Sequence, residues 1–429
     1  MKILLLGGGG REHAIAWKLI KSPLLEKLYI APGNAGTAAI GTNINIDVND
    51  FFTIKTFVVT YHIDMLVVGP EAPLVNGITD FFRNTPELKH VKIVGPDKYG
   101  AQLEGSKAWA KHFMTRNHIP TAVFFEVSKK NVEEGKSFLK TLNPPYVLKA
   151  DGLAAGKGVL ILENLSDAQK ELDSILNGKF GSAGNKVIIE EFLSGIELSV
   201  FFATDGTHYL MLPESKDYKR IGENDTGLNT GGMGAISPVP FANTQFMDKV
   251  RKQIIEPTIL GLKKENINYH GFIFLGLMNV NGNPFVIEYN VRLGDPETEV
   301  ILPRLKTDLL DILLHMTNDT LDKIMVEFYQ DHAATIMLVS KGYPGNYEKG
   351  KRITGIKNNK NSTIFHAGTK LEKANVYTNG GRVLAVTSLS NNMDEALAKS
   401  YQTIEKINFE GKTFRKDIGQ DLKEYVGTR

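Results

Sequence analysis

The stretch YVLKADGLAAGKGVLIL, residues 146–162, decides how this chain is read. Two β-rich runs, Tyr146–Lys149 and Val159–Leu162, flank the glycine-rich DGLAAGKG. Such runs around a short glycine loop predict a hairpin, whereas a P-loop leads from a strand into a helix. The spacing also fails as a P-loop. Only three residues separate Gly152 from Gly156, and Gly158 stands where the magnesium-holding Ser or Thr belongs. A hairpin of small residues can instead close over nucleotide phosphates, offering backbone amides at Gly156 and Gly158 and the charge of Lys157 while excluding water. Lys149, on the preceding strand, would aim its ammonium at the same phosphates as a point charge. The plainer alternative is a solvated glycine loop beside an ordinary strand lysine.

Upstream, the first hundred residues alternate short apolar runs with amphipathic stretches, the pattern of a parallel α/β sheet. Ile3–Leu6, Leu28–Ala31, Met65–Val68 and Val91–Val94 are the predicted strands, followed by the turns GGGGREH, PGNAG, GPEAPL and GP. Ligands of open α/β sheets collect at such carboxyl ends. GGGGREH is not a dinucleotide fingerprint, because Glu12 stands where the third glycine belongs and the second strand ends in Pro32-Gly33-Asn34 without an acid. The amides of Gly8 to Arg11 at a helix start, with the Arg11 charge, still suit a single phosphate. A mere tight turn is the alternative.

Downstream, a helix over Lys107–Ile119 is expected, then a strand at Val187–Ile189 inside VIIEEFLSGIELS. Backbone groups of Glu191 and Leu193 could read a purine edge and Glu197 a ribose, although acids at a strand end are more often simply solvated. In FVIEYN, Glu288 and Asn290 are two apart, so both side chains share one strand face. A carboxylate and an amide there suit magnesium, which needs few protein ligands once phosphates complete its octahedron. A structural carboxylate–amide pair is the alternative. In DPET, Asp295 reads as an N-cap and Pro296 as the first helical residue. GLNTGGMGA holds enough glycine to suggest close approach of backbone to a ligand. A helix at Leu309–Met316, short turn-punctuated strands beyond about Val326 and a last helix at Asp394–Ile407 complete the chain.

A length of 429 residues exceeds one hydrophobic core and predicts two to four domains. A net charge of +2 does not advertise a nucleic-acid surface, and the absence of cysteine excludes disulfides, thiolate zinc and cysteine nucleophiles. The apolar opening Met1–Leu6 is cut at once by glycine, too short for a secretory or membrane segment. A soluble protein in a reducing, cytoplasmic setting is expected, with no nucleic acid, membrane or obligate protein partner.

The ordered set GGGGREHA, PGNAG, GPEAPL, LEGSKAWAK, VLKADGLAAGKGV, NTGGMGAISP and IEYNVRLGDPETE, with HAGT and GGRVL near the end, resembles the phosphoribosylamine–glycine ligase family of the ATP-grasp superfamily. The resemblance implies a multidomain α/β and α+β chain. An N-terminal parallel α/β domain would span 1–104, an ATP-grasp core 105–122 and 187–325, its lid 123–186, and a C-terminal β-rich domain 326–429. It implies ATP and Mg2+ as cofactors, with Mn2+ a substitute, and glycine and 5-phosphoribosylamine as substrates. Carried over by motif, Lys107, Lys149, Gly156, Lys157 and Gly158 would face phosphates. Glu190, Glu191, Leu193 and Glu197 would face the adenosine, and Glu288 and Asn290 the metal. Arg292, Asp295, Glu297 and Asp217 would line the reaction centre. Gly8, Gly9, Gly10, Arg11, Glu12, Gly33, Asn34, Pro70, Glu71, Gly231 and Gly232 would contact substrate. The chain departs from the family pattern at Lys216 and Tyr218, where Gln and His are common, at Leu228 for Pro, Leu293 for Phe and Glu299 for Gln. The implied chemistry is phosphorylation of glycine to a glycyl phosphate and capture of that acyl group by an amine. Another ATP-grasp ligase or a carboxylase would keep the lysines and metal pair but change the N-terminal turns. A non-catalytic or dehydrogenase-like protein would show a full glycine fingerprint or lack Glu288 and Asn290.

Overall fold

In a computed structural model of the chain, residues 1–153, 158–357 and 359–425 are described. The first sheet forms around central runs, Ile3–Leu6 and Met65–Val68, that are apolar and buried on both faces, as parallel strands covered by helices must be. Strands β1 (Lys2–Gly7), β2 (Lys27–Pro32), β3 (Thr42–Asn43), β4 (Met65–Val68) and β5 (Lys92–Val94) lie in the order β3-β2-β1-β4-β5, all parallel. Leu5 pairs with Ile30 on one side and Val67 on the other, so the central strands end level. Their turns, at residues 7–12, 33–34 and 69–71, therefore share one edge.

Residues 124–190 make a second sheet. Strands β6 (Phe124–Ser128), β7 (Tyr146–Ala150), β8 (Val159–Leu162) and β9 (Lys186–Glu190) run in the order β6-β9-β7-β8, all antiparallel. Tyr146 pairs with Leu162 and Lys149 with Val159, so the flanks of the glycine loop are a hairpin, as the sequence predicts. Strand β9, read from sequence as the start of the core, sits in the middle of this sheet. Val127, Leu148, Ala168, Leu172, Val187 and Ile189 form a hydrophobic cluster of its own beneath the sheet.

The third sheet joins β10 (Ile196–Thr204), β11 (Tyr209–Met211), β16 (Gly271–Val280) and β17 (Asn283–Asn290) in the order β11-β10-β16-β17. Between it and the C-terminal region, β12 (Lys216–Asp217), the hairpin β13 (Arg220–Gly222) and β14 (Thr226–Asn229), and β15 (Gly234–Ser237) follow one another. Strand β15 continues onto β18 (His332–Ser340). The resulting six-stranded sheet runs β12-β15-β18-β23-β20, with β23 at Arg382–Ser390, β20 at Thr363–His366 and β24 (Lys412–Thr413) on β18. Beside it, β19 (Arg352–Ile353), β21 (Thr369–Glu372) and β22 (Asn375–Thr378) form a small sheet. The C-terminal sheet thus takes two strands from before residue 326, and the sequence boundary there cuts across hydrogen-bonded strands. Helix Met393–Lys406 covers β18 and β23, with Ser400 Oγ donating to the Ala334 carbonyl at 3.0 Å. No helix among the described residues is long and apolar enough to cross a membrane.

Candidate active site

The lysines expected to face phosphates gather about β7. Lys149 Nζ lies 2.9 Å from Glu190 Oε2 and donates to the Ile287 carbonyl at 3.2 Å, which ties the lid strand to β17 one residue from Glu288. Lys111 Nζ sits 3.1 Å from the same Glu190 oxygen and donates to Thr121 Oγ1 at 2.8 Å. All three charged groups are buried, where charge survives only if paired. Burial alone would raise the Glu190 carboxyl, but Lys149 and then Lys111 outweigh it and hold it low. Burial pulls the Lys111 ammonium down to about 8 against Glu190. Glu190, expected at the adenosine, therefore spends its Oε2 on two lysines. Lys111 was not foreseen, though it follows Lys107 by one helical turn in KAWAK. Lys107 Nζ donates to the Gly152 carbonyl at 3.3 Å, at the entry to the glycine loop. Its ammonium is lowered chiefly by burial, against the pull of Glu288. Gly158 closes the loop, its carbonyl accepting from Ala150 N at 2.8 Å; Gly156 and Lys157 lie outside the described residues.

The segment after β9 connects lid to core. Glu191 N–H is taken by the Val123 carbonyl at 3.0 Å and its carboxylate accepts from Val123 N at 2.8 Å. From Glu191 the carbonyl is what remains for a purine, with Leu193 two residues on. Across the cleft, Lys219 Nζ lies 2.9 Å from Glu197 Oε2 and 3.9 Å from Glu288 Oε1. Burial would lower its ammonium, but Glu197, Asp217 and Glu288 together hold it well above the ordinary lysine range. Lys219 was also missed; its signal is the alternation of charge in ESKDYKR. Asp217 is raised by burial, with Lys219 opposing. Glu297, bonded by Ser199 Oγ at 3.2 Å, is pushed up to about 7 by burial and then by Asp217. Burial thus raises both carboxyls, and the charge of Asp217 adds to the rise at Glu297. Glu288 is partly exposed beside Lys219, and Asn290 Oδ1 accepts from Arg292 Nη2 at 3.0 Å with a lone pair to spare. One open carboxylate and one amide oxygen on a rigid strand fit a magnesium ion whose remaining ligands are phosphate and water.

The third part joins the domains. Asp295 Oδ2 accepts from Arg11 N at 3.1 Å, and its Oδ1 lies 2.9 Å from Arg382 Nη2. Burial would raise this carboxyl, but Arg382 and then Arg11 hold it low. The N-cap reading of DPET is corrected: the helix spans Thr298–Arg304 with Glu297 before it, because Asp295 is drawn to the start of helix Gly10–Leu19 instead. That helix is capped by its own sequence, Gly9 N donating to Glu12 Oε2 at 2.6 Å. Arg11 Nε bonds Glu12 Oε1 at 2.6 Å and its Nη1 bonds the Leu293 carbonyl at 3.2 Å. The Arg11 charge and two of the amides expected to meet a phosphate are thus engaged by carboxylates, leaving Gly8 and Gly10. Asn34 Nδ2 donates to the carbonyls of Gly8 at 3.0 Å and His366 at 2.7 Å, locking the turn after Gly33 to both. Pro70 precedes helix Glu71–Val75, and Glu71 Oε2 faces Arg292 Nε at 3.5 Å. Arg292 Nη2 also bonds Glu104 Oε1 at 2.7 Å. A side chain at Gly231 would meet Arg382 Cζ at 3.0 Å and one at Gly232 would meet Pro296 Cδ at 2.4 Å, so the close approach read from GLNTGGMGA is to protein. Arg382 donates to the carbonyls of Gly231 and Asp295.

The sequence matches the phosphoribosylglycinamide synthetase N domain over residues 1–104, its ATP-grasp (A) domain over 105–298 and its C domain over 333–421. The chain belongs to the phosphoribosylglycinamide synthetase family. As a member it is an ATP-dependent ligase. A phosphoribosylamine–glycine ligase of Agrobacterium fabrum is 44% identical over 420 residues, 98% of each chain. One of Nostoc sp. is 45% identical over 429 residues, 98% of this chain and 99% of that one. The crystal structure of phosphoribosylamine–glycine ligase from Thermotoga maritima superposes with a TM-score of 0.86 at 37% identity, covering 97% of this chain and 100% of the other.

Against the phosphoribosylglycinamide synthetase pattern, three departures have local explanations. Leu293 acts through its carbonyl, which accepts from Arg11 and from Arg292 Nη1, so its buried side chain has only to pack. Leu228 is exposed in the β13–β14 hairpin. Glu299 is fully buried, and neither carboxyl oxygen has a hydrogen-bond partner among the described residues. Burial, then Asp295, pushes it well above the carboxyl range. A protonated glutamic acid has the shape and neutrality of glutamine, which is how Glu stands at this position.

Proposed function

We propose that the chain ligates glycine to 5-phosphoribosylamine at the expense of ATP, in the cytoplasm, as a step of purine synthesis. The observation that carries this reading is the bond from Lys149 on the lid hairpin to the Ile287 carbonyl of β17, which brings the phosphate-facing lysines beside Glu288 and Asn290. A carboxylate resists attack by an amine because its oxygen leaves poorly. Transfer of the γ-phosphoryl to glycine makes glycyl phosphate and ADP. Attack by the amine of phosphoribosylamine then forms the amide and releases phosphate, with one proton to be taken up from the amine.

Phosphoryl transfer is mainly positioning plus neutralisation of charge. Lys107, Lys149 and Lys157 would hold the nucleotide phosphates, with Lys111 and Glu190 fixing Lys149. The Glu191–Leu193 segment would meet the adenine and Glu197 the ribose. Glu288 and Asn290 would hold Mg2+, or Mn2+ in its place, which when bound neutralises phosphate charge. Glu297, pushed up to about 7 beside Asp217, is suited to take the amine proton. Arg292 and Asp295 would line the glycine side, while the turns at Gly8–Glu12, Gly33–Asn34, Pro70–Glu71 and Gly231–Gly232 frame the phosphoribosyl side. Lid closure would keep water from the acyl phosphate.

The test is ADP release with ATP, magnesium, glycine and phosphoribosylamine generated in place from ribose 5-phosphate and ammonia. Release dependent on both glycine and the amine is expected. Equal release without glycine would refute the assignment.

A further inference from the structure

The two departures at Lys216 and Tyr218 converge on a single residue. Lys216 Nζ lies 3.0 Å from Asp421 Oδ2, and the Tyr218 hydroxyl donates to Asp421 Oδ1 at 2.6 Å. The same hydroxyl accepts from Gly419 N at 2.9 Å. Lys216 Nζ also stands 3.9 Å from the centroid of the Tyr218 ring, and Arg415 Cζ lies 5.2 Å from it. A cation over a desolvated ring adds to the attraction. Arg415 continues the attachment, with Nη2 at 2.6 Å from Asp417 Oδ2 and Nη1 at 2.6 Å from Asp225 Oδ1. Asp417 Oδ2 in turn accepts from Asn224 N at 2.7 Å. Residues 415–421 are thus fastened along 216–225, and Lys216 and Tyr218 are both buried in the contact.

Lys216 and Tyr218 flank Asp217 in an extended segment, where neighbours point to opposite faces. Lys216 and Asp217 pair with Ile236 and Ala235 of β15, and Tyr218 bonds Gly234 and Met233 through its backbone at 3.1 and 2.7 Å. One face of this segment therefore grips the C-terminal tail, while the other presents Asp217 to Lys219, Glu197 and Glu297. We propose that Asp421, through Lys216 and Tyr218, is a latch by which the C-terminal segment positions Asp217 in the reaction centre. Lys216, Tyr218 and Asp421 are positioning residues, and the two departures are one linked change. This rests on the function proposed above only for Asp217's part in catalysis; the latch itself is a statement about β12.

The experiment compares the full-length native enzyme with Asp421→Ala, Asp421→Asn, Tyr218→Phe and Lys216→Gln/Tyr218→His, measuring steady-state kinetics, thermal unfolding and amide hydrogen exchange. Asp421→Ala should lower kcat by roughly 10- to 100-fold, the scale of a small misplacement at a reaction centre, with KM for ATP within about twofold. Exchange at the Tyr218 and Met233 amides should speed up. Asp421→Asn, which keeps the hydroxyl acceptor, should recover part of the loss. Adding Asp421→Ala to Lys216→Gln/Tyr218→His should cost little more, because the grip is already gone. A lowered melting temperature with kcat unchanged would make the contact a structural anchor and overturn the proposal. So would unchanged exchange in β12. Should Asp421→Ala fail to fold, Asp421→Asn and Tyr218→Phe give the same readouts. Native enzyme without glycine-dependent turnover would sink the functional reading, and the exchange rates would still decide the latch.

Discussion

Glu190 and Asp295 are both carboxylates held low inside the protein by two cations each, yet they are built in opposite ways. Glu190 receives Lys149 and Lys111 from elements within about eighty residues, and the lysines recur in short motifs on a strand and a helix. Asp295 receives the amide of Arg11 from the helix after the first strand and the guanidinium of Arg382 from the last large sheet, so its partners come from opposite ends of the chain. The first cluster sets two lysines against one carboxylate, a surplus of cations suited to the phosphates of the proposed function. The second is a joint between the first helix, the DPET segment and the last large sheet, and a third carboxyl, Glu299, is pushed up beside it by burial. Charge in the lid is disposed for a ligand; charge at the joint is disposed for the protein.

The largest expected effect is at Lys149. Lys149→Ala removes a phosphate contact and half of the pairing of Glu190, and should lower kcat/KM by about 10²–10³-fold, the scale of one lost transition-state donor. Stopped-flow or steady-state ADP release measures this, with circular dichroism confirming the fold. A rate within threefold of native, roughly half a unit on a logarithmic scale, would show that the lid cluster is structural after all.

Arg382→Met tests the joint. It leaves Asp295 with Arg11 as its remaining bonded partner, and breaking a buried pair costs about 3–5 kcal/mol. Urea unfolding should show that loss, accompanied by reduced turnover. Activity lost with stability intact would instead place Arg382 in contact with substrate.

Glu299→Gln is the smallest and cleanest test. The folded pKa of Glu299 is raised, so its stabilising contribution is complete below the unfolded value near ~4.3 and is lost as pH rises toward the folded value. Glutamine cannot ionise. The variant should match the native chain near pH 5 and become the more stable of the two by pH 9. Parallel stability profiles across that range would mean that Glu299 is ionised and paired in solution.

Much of the fold was legible because its signals are local. The runs Ile3–Leu6 and Met65–Val68 are apolar throughout and must be covered on both faces, and the β-rich flanks of DGLAAGKG are joined by a loop short enough to pair them with each other. Lys149, Glu288 and Asn290 could be singled out as candidates for the same reason, each lying in a local motif, whereas Lys107 came from the family resemblance. Lys111 and Lys219 left only faint local signals, a helical-turn spacing and an alternation of charge, and the sequence was misleading about Asp295, a good local N-cap whose carboxylate is taken by a helix almost three hundred residues away. It also could not show that β12 and β15 would join the C-terminal sheet, since strand pairing is decided by which edges meet. By itself, then, the sequence determined the elements and marked out lysines suited to phosphates and a carboxylate–amide pair suited to a metal, because short-range periodicity and side-chain chemistry suffice for these. Tertiary structure alone decided what each buried charge is paired with. The cost of burying a charge is met only by a partner brought close in space, and no spacing along the chain specifies that partner.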